Sequence, residues 1–153
     1  MIHSVPDWVI AQVSRCLKTA QKSALGNGGT LVRMWTYSQT SGELSHDGVL
    51  VGTGYSGLGL EKDDSAAQDE AGIGPIPQGD WMIGNAGNSP TLGPLAIPLW
   101  PGAGTETYGR SGFFIHGDSI QNPGSASHGC IVMPHEVRLA ISQSVDKALT
   151  VTA

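Results

Sequence analysis

The chain has 153 residues, with 8 Lys+Arg against 13 Asp+Glu for a formal net charge of −5, and it is 39% hydrophobic and only 14% charged. That length suits one domain able to bury its own core without metal or disulfide, and the apolar content excludes a disordered chain. The basic residues are few and scattered, which excludes a nucleic-acid surface, and no run of roughly 18 apolar residues exists to span a bilayer.

Pro6-Asp7-Trp8 opens a stretch with Val9, Val13, Leu17 and Ala20 at helical spacing, ending before Gly26-Asn27-Gly28-Gly29. It predicts an amphipathic packing helix and a Gly-rich linker over residues 1–29, separate from a domain over 30–153. The same segment lacks the order of a signal peptide, since Arg15, Lys18 and Lys22 come late. Ordinary export is therefore not encoded, and synthesis in the cytoplasm is expected. Cys16 and Cys130 form a lone pair of cysteines, not a disulfide framework, and no structural disulfide is expected.

Glycine is the compositional outlier at 22 of 153, and all but Gly26, Gly28 and Gly29 lie between Gly42 and Gly129. Glycines this dense oppose helices and suit short strands joined by tight turns. β-Type runs follow at Leu31–Tyr37, Val49–Thr53, Asp80–Gly84, Leu95–Trp100, Gly112–His116, Gly129–Met133 and Ala148–Thr152. Glu61–Glu70, with four acids, reads as a solvated loop. Pro134 suits the first turn of a helix, and Val137, Leu139, Ala140 and Ile141 give His135–Ser144 an apolar face. The fold class predicted is mainly β, a sandwich or partly open barrel, with an N-terminal helix and a short helix near the C-terminal end.

The chemistry-bearing stretch is Gly112-Phe-Phe-Ile-His116-Gly117-Asp118-Ser119, a loop, and Ser127-His128-Gly129-Cys130-Ile131-Val132-Met133. A thiol is a weak nucleophile until a base or imidazolium acts on it, and His116, ending an apolar run, is placed to be that group. The Gly/Pro/Asn loop Gln121–Gly124 is expected to bring the two strand ends together, turning 14 sequence positions into hydrogen-bond distance. Gly129 would let backbone N–H groups approach a carbonyl and form an oxyanion hole. The bland alternatives are an inert buried cysteine and a satisfied core histidine. His116, His128, Cys130 and His135 also carry metal-ligand atoms, but their spacing fits no zinc pattern, and neither metal nor cofactor is expected.

His116-Gly117 followed by Ser127-His128-Gly129-Cys130 resembles the signature of YkuD-type L,D-transpeptidases, with 13 residues between His116 and Cys130. Trp35-x-Tyr37-x-Gln39, Gly54-Tyr55-Ser56-Gly57 and Gly74-Pro75-Ile76-Pro77-x-Gly79 add a resemblance, over about Thr30 to Ser144, to the branch of that superfamily found among type VI secretion effectors. Histidine before cysteine separates the chain from NlpC-type peptidases, and no Thr-Leu-x-Thr-Cys strand likens it to sortases. One departure stands out. The broad YkuD pattern has an arginine two residues after the cysteine, thought to engage a substrate carboxylate, where this chain has Val132; that task would fall to Arg110 or Arg33, or a different acyl donor would be used.

The resemblance implies a peptidoglycan stem peptide as substrate, cut between the diamino acid at position three and D-alanine at position four. Cys130 would be the nucleophile and His116 its base. The backbone N–H groups of Gly129 and Cys130 would form the oxyanion hole, and the Gly117 carbonyl, ahead of the Asp118 carboxylate, would orient the imidazole. Ser127 and His128 would support the loop and line the pocket, with His128 as the alternative base. Tyr55 and Ser56 would line the donor groove or only shape its turn. The partners implied are a secretion apparatus that delivers the protein to a target cell's periplasm and a cognate immunity protein. A phage or prophage lysis enzyme, or a wall-binding β domain without chemistry, are the alternatives.

Overall fold

The structure, a computed structural model, describes residues 33–153. The helix and Gly-rich linker expected over residues 1–29, Cys16, and the start of the first expected strand lie outside the described residues. Ten strands and one α-helix follow in order: β1 (Trp35–Ser38), β2 (Glu43–His46), β3 (Val49–Thr53), β4 (Tyr55–Ser56), β5 (Gly79–Ile83), β6 (Gly87–Ser89), β7 (Gly93–Pro101), β8 (Phe114–His116), β9 (Ile131–Val132), α1 (His135–Gln143) and β10 (Ala148–Thr152).

Alternation of apolar and polar residues explains the core. Trp35 and Tyr37 of β1, Trp81 and Ile83 of β5, and Leu149 and Val151 of β10 are buried, while Thr36, Met82 and Thr150 between them are not. Helix α1 adds Val137 and Ile141, one turn apart, to the same cluster. Sixteen buried hydrophobic side chains form this one core, drawn from both halves of the sheet.

The strand order is β3-β2-β1-β10-β5-β7-β8-β9-β4, with β6 attached to β7. β1 and β10 pair in parallel, as do β8 and β9, and the remaining pairs are antiparallel. β7 is the corner: Leu99–Pro101 pair with β5, whereas Ile97 and Pro98 pair with β8 on its other side. Leu95, with φ 59°, bends the strand near its start. The two ends of the strand order, β3 and β4, are consecutive in the chain and joined by Gly54 alone. A sheet whose ends are one residue apart must curl back on itself, which gives the partly open barrel. Gly54 must be glycine there, because a Cβ would overlap the Val132 carbonyl.

Three strands exceed the seven expected. β2 was hidden by its single apolar residue, Leu44, yet Asp47-Gly48 was a readable signal: the two adopt φ of 51° and 78° and close the hairpin from His46 to Val49. β4 and β6 contain two and three residues and carry no period to detect. Glu61–Glu70 is not a plain solvated loop, since 3-10 turns at Gly59–Glu61 and Ser65–Ala67 fold it and bury Ala67. The expected helix at His135–Ser144 is present as α1, with Pro134 at its cap.

Candidate active site

Cys130 stands just before β9, and the register of β8 with β9 sets what it meets. Ile115 pairs with Ile131 and His116 with Val132, in parallel. Continued one residue back, that register puts Cys130 beside Phe114, with His116 diagonal to it. The offset is even, so both side chains rise from one face of the sheet, with His116 diagonal to Cys130 and not directly opposite it. Among the described residues no hydrogen bond joins the His116 ring to the thiol. The thiol instead lies over Gly112 and Phe114, with Sγ 3.7 Å from the Gly112 carbonyl oxygen.

The His116 ring is buried, 2% exposed, and its Nδ1 donates to the Gly117 carbonyl at 2.7 Å. A carbonyl only accepts, so Nδ1 carries the proton and Nε2 the lone pair. Burial lowers the pKa of His116 from 6.5; the Gly117 carbonyl opposes this and the Arg138 guanidinium adds to it. Burial pushes the Cys130 thiol up, against the Phe114 amide and Arg110, which lower it. Both shifts favour the neutral thiol and neutral imidazole at rest over a preformed ion pair.

Asp118 lies beyond the end of β8, and its carboxylate is engaged away from His116. It accepts from Tyr55 Oη at 2.6 Å, Ser119 N at 2.8 Å and Gly124 N at 2.9 Å. Tyr55 Oη in turn accepts from Ala126 N at 2.9 Å, and the Lys62 ammonium sits 4.6 Å from the Tyr55 ring centre. Burial and then the Asp118 bond push the Tyr55 hydroxyl up to about 12, so it remains a donor. Tyr55 and Asp118 thus staple the loop between β8 and β9.

Ser127 is fully buried and organises the cysteine loop. Its Oγ accepts from Gly57 N at 2.8 Å and Gly129 N at 3.1 Å, and donates to the Cys130 carbonyl at 2.6 Å. The Gly129 amide is therefore engaged, whereas the Cys130 amide has no acceptor among the described residues. Ser56 Oγ donates to the Gly129 carbonyl at 3.2 Å and accepts from Ile76 N at 2.8 Å. Ser56 is thereby a strut behind the cysteine, not a groove wall.

In front of Cys130 is an open cleft of about 280 Å³, lined by Arg110, Gly112, Phe113, His128, Gly129 and Cys130 among others. His128 is exposed and its Nδ1 donates to the Gly72 carbonyl at 2.9 Å. Val132, where an arginine was looked for, is buried between Tyr55 of β4 and His116 of β8. Among the described residues no cluster of three His, Cys, Asp or Glu side chains is arranged to hold a metal ion.

Two structural partners escaped the sequence. The buried stretch Gly74-Pro75-Ile76-Pro77 has two prolines, so only Gly74 and Ile76 have N–H groups to satisfy. Its four carbonyls are all capped by side chains: Gly74 and Pro75 by Arg110 at 2.8 Å each, Ile76 by Gln39 Nε2 at 2.7 Å, and Pro77 by Trp81 Nε1 at 3.1 Å. The fragments Trp35-x-Tyr37-x-Gln39 and Gly74-Pro75-Ile76-Pro77 are thus halves of one contact.

Residues 51–152, two-thirds of the chain, match the Tlde1 domain. No curated protein matches the chain in sequence. Among solved structures, an L,D-transpeptidase from Mycobacterium tuberculosis H37Rv is similar over 80% of this chain and 58% of its own, at 17% identity and a TM-score of 0.48. An L,D-transpeptidase from Mycobacterium smegmatis is similar over 80% and 59%, at 17% identity and a TM-score of 0.45. The chain spans under two-thirds of the length of both.

Proposed function

The chain belongs to the Tlde1 domain family, of the type VI effector branch of the YkuD-type L,D-transpeptidase superfamily, and from that premise we propose that it processes peptidoglycan stem peptides by cysteine acyl transfer. The domain over residues 30–153 acts on the bond between the diamino acid at position three and D-alanine at position four. The observation that carries this reading is the thiol of Cys130 at the floor of an open cleft, on a loop held rigid by Ser127, with the histidine of β8 on the adjoining strand.

His116 Nε2 takes the thiol proton as Sγ attacks the carbonyl carbon. The Cys130 amide, without an acceptor among the described residues, donates to the oxyanion, a contribution of roughly 3–4 kcal/mol in other acyl-transfer enzymes. Collapse breaks the C–N bond, the proton on His116 passes to the departing D-alanine amine, and a thioester remains. Water then gives the tripeptide and restores the thiol, a free D-amino acid gives exchange, and the amine of another stem gives a 3–3 cross-link. The lowered pKa of His116 and raised pKa of Cys130 support proton transfer during attack in place of a standing ion pair.

A second reading assigns the base to His128. It lines the cleft with Cys130, which His116 does not, and its Nδ1–H on Gly72 leaves Nε2 with the lone pair. Disaccharide tetrapeptide offered to the wild type and to Cys130→Ala tests the reaction by mass spectrometry. Loss of one alanine, or its replacement by an added D-amino acid, in the wild type alone supports it. A β domain that only binds the wall would leave the tetrapeptide unchanged. His116→Gln and His128→Gln in the same assay choose the base.

We propose further that the protein is delivered by a secretion apparatus to the periplasm of a competing cell, with an immunity protein protecting the producer. The absence of both secretion genes and a neighbouring immunity-type reading frame would favour a phage lysis role. Among the described residues no helix is long and apolar enough to cross a membrane.

A further inference from the structure

The guanidinium of Arg110 reaches across the backbone of the residue that precedes Cys130. Its Nη1 donates to the carbonyls of Gln68 at 2.6 Å and Pro75 at 2.8 Å, and its Nη2 to Gly74 at 2.8 Å and His128 at 3.4 Å. The Phe113 ring backs it, 5.2 Å from ring centre to Cζ. Four carbonyls from two loops fix the group, and among the described residues no carboxylate forms a salt bridge with it. Gly129 adopts φ of 129°, and a Cβ there would overlap Nη2, so the glycine before the cysteine is what admits the cation. The loop that supplies Gln68, Gly74 and Pro75 is itself tied to β1, since Gln39 bonds the Ile76 carbonyl and its Oε1 accepts from Gln78 Nε2 at 2.9 Å.

This arrangement argues against the forked grip on a substrate carboxylate that the sequence suggested for Arg110. Such a grip needs paired, unengaged N–H groups, and both terminal nitrogens are turned to backbone oxygens. A carbonyl cage does not neutralise a charge, however, and the cation left behind faces Cys130 across the cleft both residues line.

We propose that Arg110 is the positioning residue for Cys130: a guanidinium whose charge stabilises the thiolate as it forms, caged by the loop Gln68–Pro75 and by His128, with Asp69 nearby but in no salt bridge with it. The proposal rests on the reading of Cys130 as nucleophile. Arg110 touches neither substrate nor the proton in transit; it acts through the thiol. The mutual influence of the two groups agrees: burial pushes the thiol up and the guanidinium down, Arg110 opposes the first, and Cys130 followed by Asp69 opposes the second.

The test is the pH profile of Cys130 alkylation by iodoacetamide in wild type, Arg110→Gln and Arg110→Lys, with circular dichroism to verify the fold and tetrapeptide turnover measured on the same samples. An opposite charge within roughly 4–6 Å shifts a pKa by about 1–3 units, and Arg110 acts on the thiol from the wall of the same cleft. Arg110→Gln is therefore expected to move the profile to higher pH and slow alkylation roughly tenfold below the pKa, and Arg110→Lys to stay near wild type. An unmoved profile in folded Arg110→Gln, or an equal shift in both variants, overturns the proposal, the second because it marks a purely structural effect. If Arg110→Gln does not fold, ¹⁵N-arginine labelling of wild type and Cys130→Ala replaces it. The chain has only Arg15, Arg33, Arg110 and Arg138, and one guanidinium signal should titrate with the thiol in wild type and lose that step in Cys130→Ala. No such signal overturns the proposal. Turnover absent in wild type beside a shifted profile would instead count against the stem-peptide reading and leave the Arg110 assignment standing.

Discussion

Arg110 and Gly129 share one space: the guanidinium occupies the position where any side chain on the residue before Cys130 would project. Gly129→Ala must therefore both strain a φ of 129° and displace the cation. The variant is expected to lose at least tenfold in tetrapeptide turnover and to be less stable by on the order of 2 kcal/mol. Turnover equal to wild type would show that the loop tolerates a side chain and that the close approach does not matter.

Ser127→Ala removes an oxygen that serves two backbone amides and one carbonyl in the interior. The two amides, of Gly57 and Gly129, would be left without their acceptor. At roughly 1–3 kcal/mol for each buried unsatisfied group, a loss of about 3 kcal/mol is expected, and a fall in Tm on the order of 10 °C. Differential scanning calorimetry reads this directly. A change under about 1 °C would mean that water replaces the hydroxyl without cost.

His116 gives the stability a pH dependence of known sign. Burial lowers its pKa below the 6.5 of the unfolded chain, so on acidification the unfolded state binds the proton first. Its contribution is full above about pH 6.5 and is lost as pH falls from there towards the folded-state pKa. Urea unfolding at pH 8 and pH 5 should therefore show a larger loss of stability in wild type than in His116→Gln. The same lowered pKa puts the acid limb of kcat/KM below the ordinary histidine range. Equal losses in the two proteins would show that His116 titrates normally.

Tyr55→Phe removes the hydroxyl that bridges Asp118 and Ala126. The bridge holds the loop from β8 to β9 and makes no contact with the thiol, so the expected effect is a stability loss of about 1–2 kcal/mol and a modest fall in turnover. Abolished turnover with unchanged stability would instead make Tyr55 a group that contacts substrate.

Legibility in the sequence followed the physics of each feature. Strands with alternating large apolar residues, such as Trp81-x-Ile83 and Leu149-x-Val151, announce themselves because one face is buried. β4 and β6 do not, because two or three residues without an apolar period leave no pattern. β2 had a usable signal in Asp47-Gly48, whose paired positive φ values are those of a tight hairpin. Cys130 and His116 were legible as residue types in order, but their offset was not: it depends on β8 and β9 running parallel, which no loop composition dictates. The carbonyl-capping roles of Gln39 and Arg110 were hidden for another reason. Their partners are backbone carbonyls of Gly74, Pro75 and Ile76, and a carbonyl is the same in every residue.

Trapping the acyl-enzyme shows whether Cys130 is the nucleophile that acts on a stem peptide. Wild type and Cys130→Ala would be mixed with disaccharide tetrapeptide, quenched with acid within seconds, and compared by intact mass and peptide mapping. An adduct of the disaccharide tripeptide on Cys130 is expected in wild type, with release of one D-alanine, and no adduct in Cys130→Ala. D-Alanine release that persists in Cys130→Ala, or an adduct mapped to another residue, would contradict it.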